Sequence, residues 1–207
     1  MKKLLIEHTS SITIPKVEIM ESIKKNDGKL IIKNVLLQKA DTPNRNRRVY
    51  PKSVLDKALN EYSNKIANKT GFGELDHPIN DDANTVSLKY TCQAIADAYW
   101  IGNELRGDVE ILDTRCGRDV KAILLAGYRV GQSSRGLGST TPFEGGEELL
   151  ETVSDDFELI TLADSVSDPS TINADMIYTE SRKISNKKIF IPSSIDQLFD
   201  NILKKGY

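Results

Sequence analysis

A chain of 207 residues with 39% hydrophobic and 28% charged residues has the make-up of one globular domain with a substantial core and short tails. Lys and Arg total 28 against 30 Asp and Glu, for a net charge of −2, so no electrostatic pull toward nucleic acid or an anionic membrane is expected. Cys92 and Cys116 have neither metal-ligand spacing nor the density of a secreted disulfide framework, and two distant histidines cannot complete a tetrahedral metal site, so no metal is expected.

The opening Met-Lys-Lys-Leu-Leu-Ile is cut short as a signal-like stretch by Glu7 and His8, and no segment is long enough to span a bilayer, which makes cytoplasm the expected compartment. Residues 1–14 read as a loose arm ending at Pro15. Residues 30–37, after the Asp27-Gly28 turn, read as a buried strand that begins the sheet. The run 44–48, Asn-Arg-Asn-Arg-Arg, reads first as a solvated face; the alternative is a pocket for an acidic residue lined by its basic and amide side chains. Val54, Leu55, Ala58, Leu59, Tyr62 and Ile66 then repeat at helical spacing, with Pro51 suited to a first turn.

Gly71 and Gly73 release the chain into a loop that carries His77, which Pro78 biases toward extended angles. Residues 86–101 and 105–112 form a hairpin across Gly102-Asn103, with Tyr99 and Trp100 as cross-strand packing. A short helix over 119–126 stops at Gly127. Residues 149–164 read as a second hairpin broken at Asp155-Asp156, residues 165–192 receive no assignment, and 193–207 form an amphipathic helix. The expected organisation is an arm (1–14), a domain (15–192) and a terminal helix (193–207), of α+β class.

The chemistry centres on Gly131-Gln132-Ser133-Ser134-Arg135-Gly136-Leu137-Gly138, where two serines among three glycines read as a bend that exposes a hydroxyl beside free amides. The plain alternative is a Ser/Gly turn. A serine hydroxyl needs a neighbouring imidazole to take its proton, and His77 is the only histidine in the body of the chain. Asp164, at the end of a strand-like run, supplies an acid after the serine, with Glu74, Asp76 and Asp168 as rivals. The order His, Ser, acid differs from that of chymotrypsin-like and subtilisin-like chains, and Arg135 stands where an α/β-hydrolase elbow would need its second glycine.

Segments 44–51, 73–78, 131–139 and 162–169 resemble, in order, the motifs of the prohead core proteases of tailed bacteriophages, across most of the chain. That family resembles the herpesvirus assemblins, serine proteases that clear the scaffold from a new capsid and in which a second histidine follows the serine. No late histidine exists here, so the resemblance implies an acid as third member. It also implies a mainly antiparallel β-barrel core surrounded by helices. Ser133, aligned with the family's nucleophile in preference to Ser134, would attack; His77 would act as base and then acid; Asp164 would orient it. Backbone N–H groups of Ser134, Arg135 and Gly136 would form the oxyanion hole.

Scaffold or core proteins and the major capsid protein would be the substrates, inside a prohead in the host cytoplasm. A homo-oligomer without cofactor is expected. The family cuts after glutamate in a Leu/Ile-x-Glu context, which occurs at Leu5-Ile6-Glu7, Ile19-Met20-Glu21, Leu59-Asn60-Glu61 and Leu149-Leu150-Glu151. Only the first lies in a dispensable arm, which points to self-activation by a cut between Glu7 and His8 that removes residues 1–7. The rival expectation is a non-enzymatic capsid or tube component whose Ser/Gly loop is a subunit contact; it does not require His77 and Ser133 to meet.

Overall fold

The computed structural model describes residues 2–78, 84–142 and 150–167. The expected terminal helix at 193–207, the unassigned residues beyond 167 and the rival acid Asp168 lie outside the described residues. In chain order the elements are β1 (Lys3–Ile12), α1 (Lys16–Lys25), β2 (Leu30–Lys39), β3 (Arg48–Val49), α2 (Lys52–Ala67), β4 (Phe72–Glu74), β5 (Thr91–Ile101), β6 (Glu104–Ile111), α3 (Arg115–Leu125), β7 (Val130–Gly138), β8 (Thr140–Pro142), β9 (Glu151–Val153) and β10 (Glu158–Val166). They make three sheets, β1-β7-β10, β2-β6-β5-β4 and β3-β9-β8. Among the described residues the β3–β9 ladder is parallel and the other strand ladders are antiparallel.

Where local pattern is strong, the elements follow it. The β5–β6 hairpin turns at Gly102, whose φ of 61° is cheap only for glycine. Helix α2 starts after Pro51 and buries Val54, Leu55, Ala58 and Tyr62 on one face. Helix α3 begins earlier than its apolar face suggests, because Thr114 caps it by accepting from the Gly117 N–H at 3.0 Å. Helix α1 has a weak apolar stripe with Ile19 as its one buried residue, which is why the sequence pattern passes over it. It is tied to β2 by Ser22, whose Oγ donates to Ile31 O and accepts from Ile31 N.

Four expectations are corrected. Among the described residues the sheets do not close into a hydrogen-bonded barrel; the β1-β7-β10 sheet is joined to the next through an isolated bridge between Leu75 and Ser165. Residues 3–12 are no loose arm but strand β1, paired with β7 from Lys3–Gly138 to Ile12–Val130 and carrying Leu5 and Ile12 into the core. Strands β9 and β10 do not form a hairpin, since β9 pairs with β3 and β8 while β10 pairs with β7. Finally, the Ser/Gly stretch is the central strand β7, buried from Val130 to Gly136, with no positive φ between 130 and 138. Its glycines serve close packing: a Cβ on Gly136 would stand 2.4 Å from the Phe157 ring.

Candidate active site

Ser133 and Asp164 face each other as a register pair on neighbouring strands β7 and β10. Their side chains therefore emerge on one side of the sheet. His77 reaches them from the segment that leaves β4. The Leu75 N–H donates to Tyr90 O and the Asp76 N–H to Ser165 O, which holds this segment between β5 and β10. Asp76 at φ 61° turns the chain so that the next side chain points back at the sheet. His77 Nδ1 then lies 2.9 Å from Asp164 Oδ2, and Nε2 lies 2.7 Å from Ser133 Oγ. A neutral imidazole whose Nδ1–H donates a hydrogen bond to the carboxylate leaves the Nε2 lone pair to accept one from the serine hydroxyl, the arrangement by which a serine becomes a nucleophile.

Asp164 is fully buried, and an unpaired carboxylate there would be very costly. Arg135, also fully buried, supplies the compensating charge: Nε is 2.5 Å from Asp164 Oδ2, and Nη2 reaches Glu74 Oε2 at 3.0 Å. The Glu74 backbone N–H donates to Asp164 Oδ1 at 2.7 Å, and the Glu74 carboxylate also accepts from the Ser87 N–H. Burial pushes the Glu74 carboxyl up from its ordinary pKa, against the opposing pull of the Ser87 hydrogen bond and Arg135. One side of the sheet thus holds a relay of Ser133, His77 and Asp164, fixed from behind by a guanidinium and a second carboxylate.

Other expected residues fall elsewhere. Ser134 alternates to the opposite face, where its Oγ accepts from Gln38 Nε2 at 2.8 Å, so it does not meet His77. The Arg135 side chain is committed to the two carboxylates. Ser134, Arg135 and Gly136 lie in a strand paired on both sides, so their backbone N–H groups face β1 and β10 rather than an open bend. Of the rival acids, Glu74 touches Arg135 rather than His77, and Asp76 is exposed. A subunit-contact role for the Ser/Gly stretch required no meeting of His77 with Ser133, yet the two are in hydrogen-bond contact.

Strand β1 lies directly along this site. Its register sets Glu7 against Ser134 and His8 against Ser133, and the His8 ring packs edge-on against His77 with centroids 5.5 Å apart. Glu7 is buried against Asn44, Asn46, Arg48 and Tyr50. This corrects the solvated-face reading of 44–48: Asn44, Asn46 and Arg48 turn inward. The acidic-pocket alternative was the signal that could find them, but nothing local named Glu7 as the acid.

A serine, an imidazole and a carboxylate joined by hydrogen bonds beside an extended segment, on a mixed α/β fold, is the arrangement that serine hydrolases use. Residues 7–187 match the family described as prohead core protein serine protease, and the chain belongs to that family. It is 33% identical over 162 residues, 73% of this chain and 73% of the relative, to the prohead core protein protease of Enterobacteria phage T4. Its fold is similar to that of the bacteriophage T4 capsid assembly protease, with a TM-score of 0.65 and 28% identity over 81% of this chain and 99% of the other.

Proposed function

We propose that this chain is a serine endopeptidase of phage capsid maturation that cuts after glutamate in a Leu/Ile-x-Glu context and activates itself by cutting its own Glu7–His8 bond. Scaffold or core proteins and the major capsid protein are its substrates inside the prohead. The observation that carries this reading is the β1–β7 register, which sets the Glu7–His8 peptide across from Ser133 with the His8 ring against His77.

In this mechanism Ser133 Oγ loses its proton to His77 Nε2 as it bonds to the glutamate carbonyl carbon. Asp164 stabilises the imidazolium, and Arg135, hydrogen-bonded to Asp164, holds it in place. The imidazolium then gives its proton to the departing amine as the C–N bond breaks, leaving an acyl ester on Ser133. A water molecule, deprotonated by His77, hydrolyses that ester and releases the new carboxylate. The other Leu/Ile-x-Glu sites are poorer targets: Ile19–Glu21 lies in α1 and Leu59–Glu61 in α2, where helical hydrogen bonds oppose the extended form a cleft requires, and Glu151 lies in β9, which pairs with β3 and β8 and not with the strand that carries Ser133. Confinement of many copies in one shell raises their effective concentration and favours cutting between copies in a homo-oligomeric core.

Intact-mass measurement tests the proposal. Concentrated wild-type protein loses Met1 to Glu7, whereas Ser133→Ala and Glu7→Ala retain them. Loss of the same seven residues from Ser133→Ala, with no active enzyme present, would sink self-activation.

A further inference from the structure

Glu7 and His8 point to opposite faces of β1, and the Glu7 face has its own chemistry. We propose that Asn44, Asn46, Arg48 and Tyr50 form the specificity pocket for the substrate's glutamate side chain, and that Glu7 fills it before the arm is cut. This rests on the protease reading of the Ser133 site.

Each Glu7 oxygen takes two donors. Oε1 accepts from Arg48 Nη1 and Tyr50 OH, and Oε2 from Asn44 Nδ2 and Asn46 Nδ2, all four at 2.7 Å. Burying a carboxylate to 2% exposure is tolerable only with such compensation, and one of the four donors is a cation. Asn46 Nδ2 also donates to Ile6 O at 2.9 Å, so the same side chain grips the backbone one residue earlier.

The pocket is built without Glu7. Asn44 Oδ1 accepts from the N–H groups of Asn46 and Arg48, and its backbone exchanges bonds with Arg48 and Arg47, the latter at φ 58°. With Oδ1 so occupied, the Asn44 amide can present only its NH2 to the ligand. Arg48 is held in β3 against β9, and Tyr50 packs edge-on against Phe157. Burial and the nearby Glu7 carboxylate push the Tyr50 hydroxyl well above its ordinary pKa, so it remains a donor at neutral pH.

A site that presents a guanidinium, two amide NH2 groups and a hydroxyl already donating to a carboxylate discriminates chemically. Glutamine would turn an NH2 toward donors and leave hydrogen bonds unmade, and aspartate is one methylene short of all four groups. A mere structural tie between β1 and β3 would need no relation to the nucleophile. Here the residue after Glu7 lies against Ser133 and His77, so the pocket sits immediately on the acyl side of the proposed cut.

The test compares two ten-residue peptides, one with the sequence of residues 3–12 and one with glutamine in place of glutamate, offered to the full chain after self-processing. Wild-type kcat/KM is expected to favour the glutamate peptide by at least ~100-fold. Tyr50→Phe and Asn46→Asp should each narrow that ratio by about 10-fold or more, since a hydrogen bond to a charged group is lost or a like charge introduced. Arg48→Gln should narrow it most, and because Asn46 lies on an exposed loop its variant keeps the test valid if Arg48→Gln fails to fold. A wild-type ratio near one, or pocket variants that keep the wild-type ratio, overturns the pocket while leaving the protease intact. Cleavage of neither peptide by the wild-type chain overturns the protease reading itself.

Discussion

Arg135 and His77 meet at one atom: the guanidinium Nε and the imidazole Nδ1 both approach Oδ2 of Asp164, at 2.5 and 2.9 Å. The carboxylate that orients the imidazole is thus itself positioned by a cation that never reaches the cleft. Stability and chemistry are coupled through it.

Arg135→Met should leave Asp164 and Glu74 as two buried carboxylates without their cation. Removing one partner of a buried ion pair costs on the order of 3–5 kcal/mol, so the unfolding free energy in urea should fall by about that amount. An unfolding midpoint equal to that of the wild type would show that the guanidinium does not hold the site together.

Ser133→Ala should abolish cleavage while removing one buried hydrogen bond, a stability cost of about 1 kcal/mol. Ser134→Ala should cost a similar amount, because it leaves Gln38 without that partner, yet still cleave. Peptide hydrolysis and thermal melting on both variants separate the two roles. An inactive Ser134→Ala beside an active Ser133→Ala would reverse the assignment.

For Asp164→Asn, cleavage per folded molecule should fall by a few hundred to about ten-thousand fold, because an unoriented imidazole presents the wrong tautomer to the serine. This variant should also lose stability, since the amide replaces the anion between Arg135 and His77. Rates normalised to the folded fraction make the check; an unchanged rate would transfer the third role to another acid.

Gly73 packs so closely on β10 that a Cβ would lie 1.8 Å from the Ala163 carbonyl oxygen. Gly73→Ala should therefore push β4 away from β10, displace the His77 segment, and lower both stability and cleavage, with an overpacking cost of at least 1–3 kcal/mol. Gly28→Ala is the comparison: its φ of 89° is strained for alanine but no atom lies within 4 Å, so only stability should suffer. Urea unfolding together with peptide cleavage distinguishes the two outcomes, and equal activity losses would contradict the packing account.

Features that depend on neighbours along the chain, or on the scarcity of a residue type, are legible in the residues alone. The 3.6-residue repeat of Val54, Leu55, Ala58 and Tyr62 specifies α2, and Gly102 specifies the β5–β6 turn. A body containing a single histidine leaves one candidate base, and His77 does meet both Ser133 and Asp164. That Gly131 to Gly138 form a strand emerges only when the chain folds. Ser and Gly favour turns locally, but pairing on both edges with segments remote in sequence buries the stretch and overrides that preference. The same holds for β1, whose weak local pattern is anchored by β7, and for Arg135, which reads as a surface cation until the fold brings Glu74 and Asp164 to it across 61 and 29 residues. Glu7 and the 44–48 run acquire meaning together for the same reason: a buried charge is tolerated only when distant donors converge on it, and convergence is a property of the folded chain.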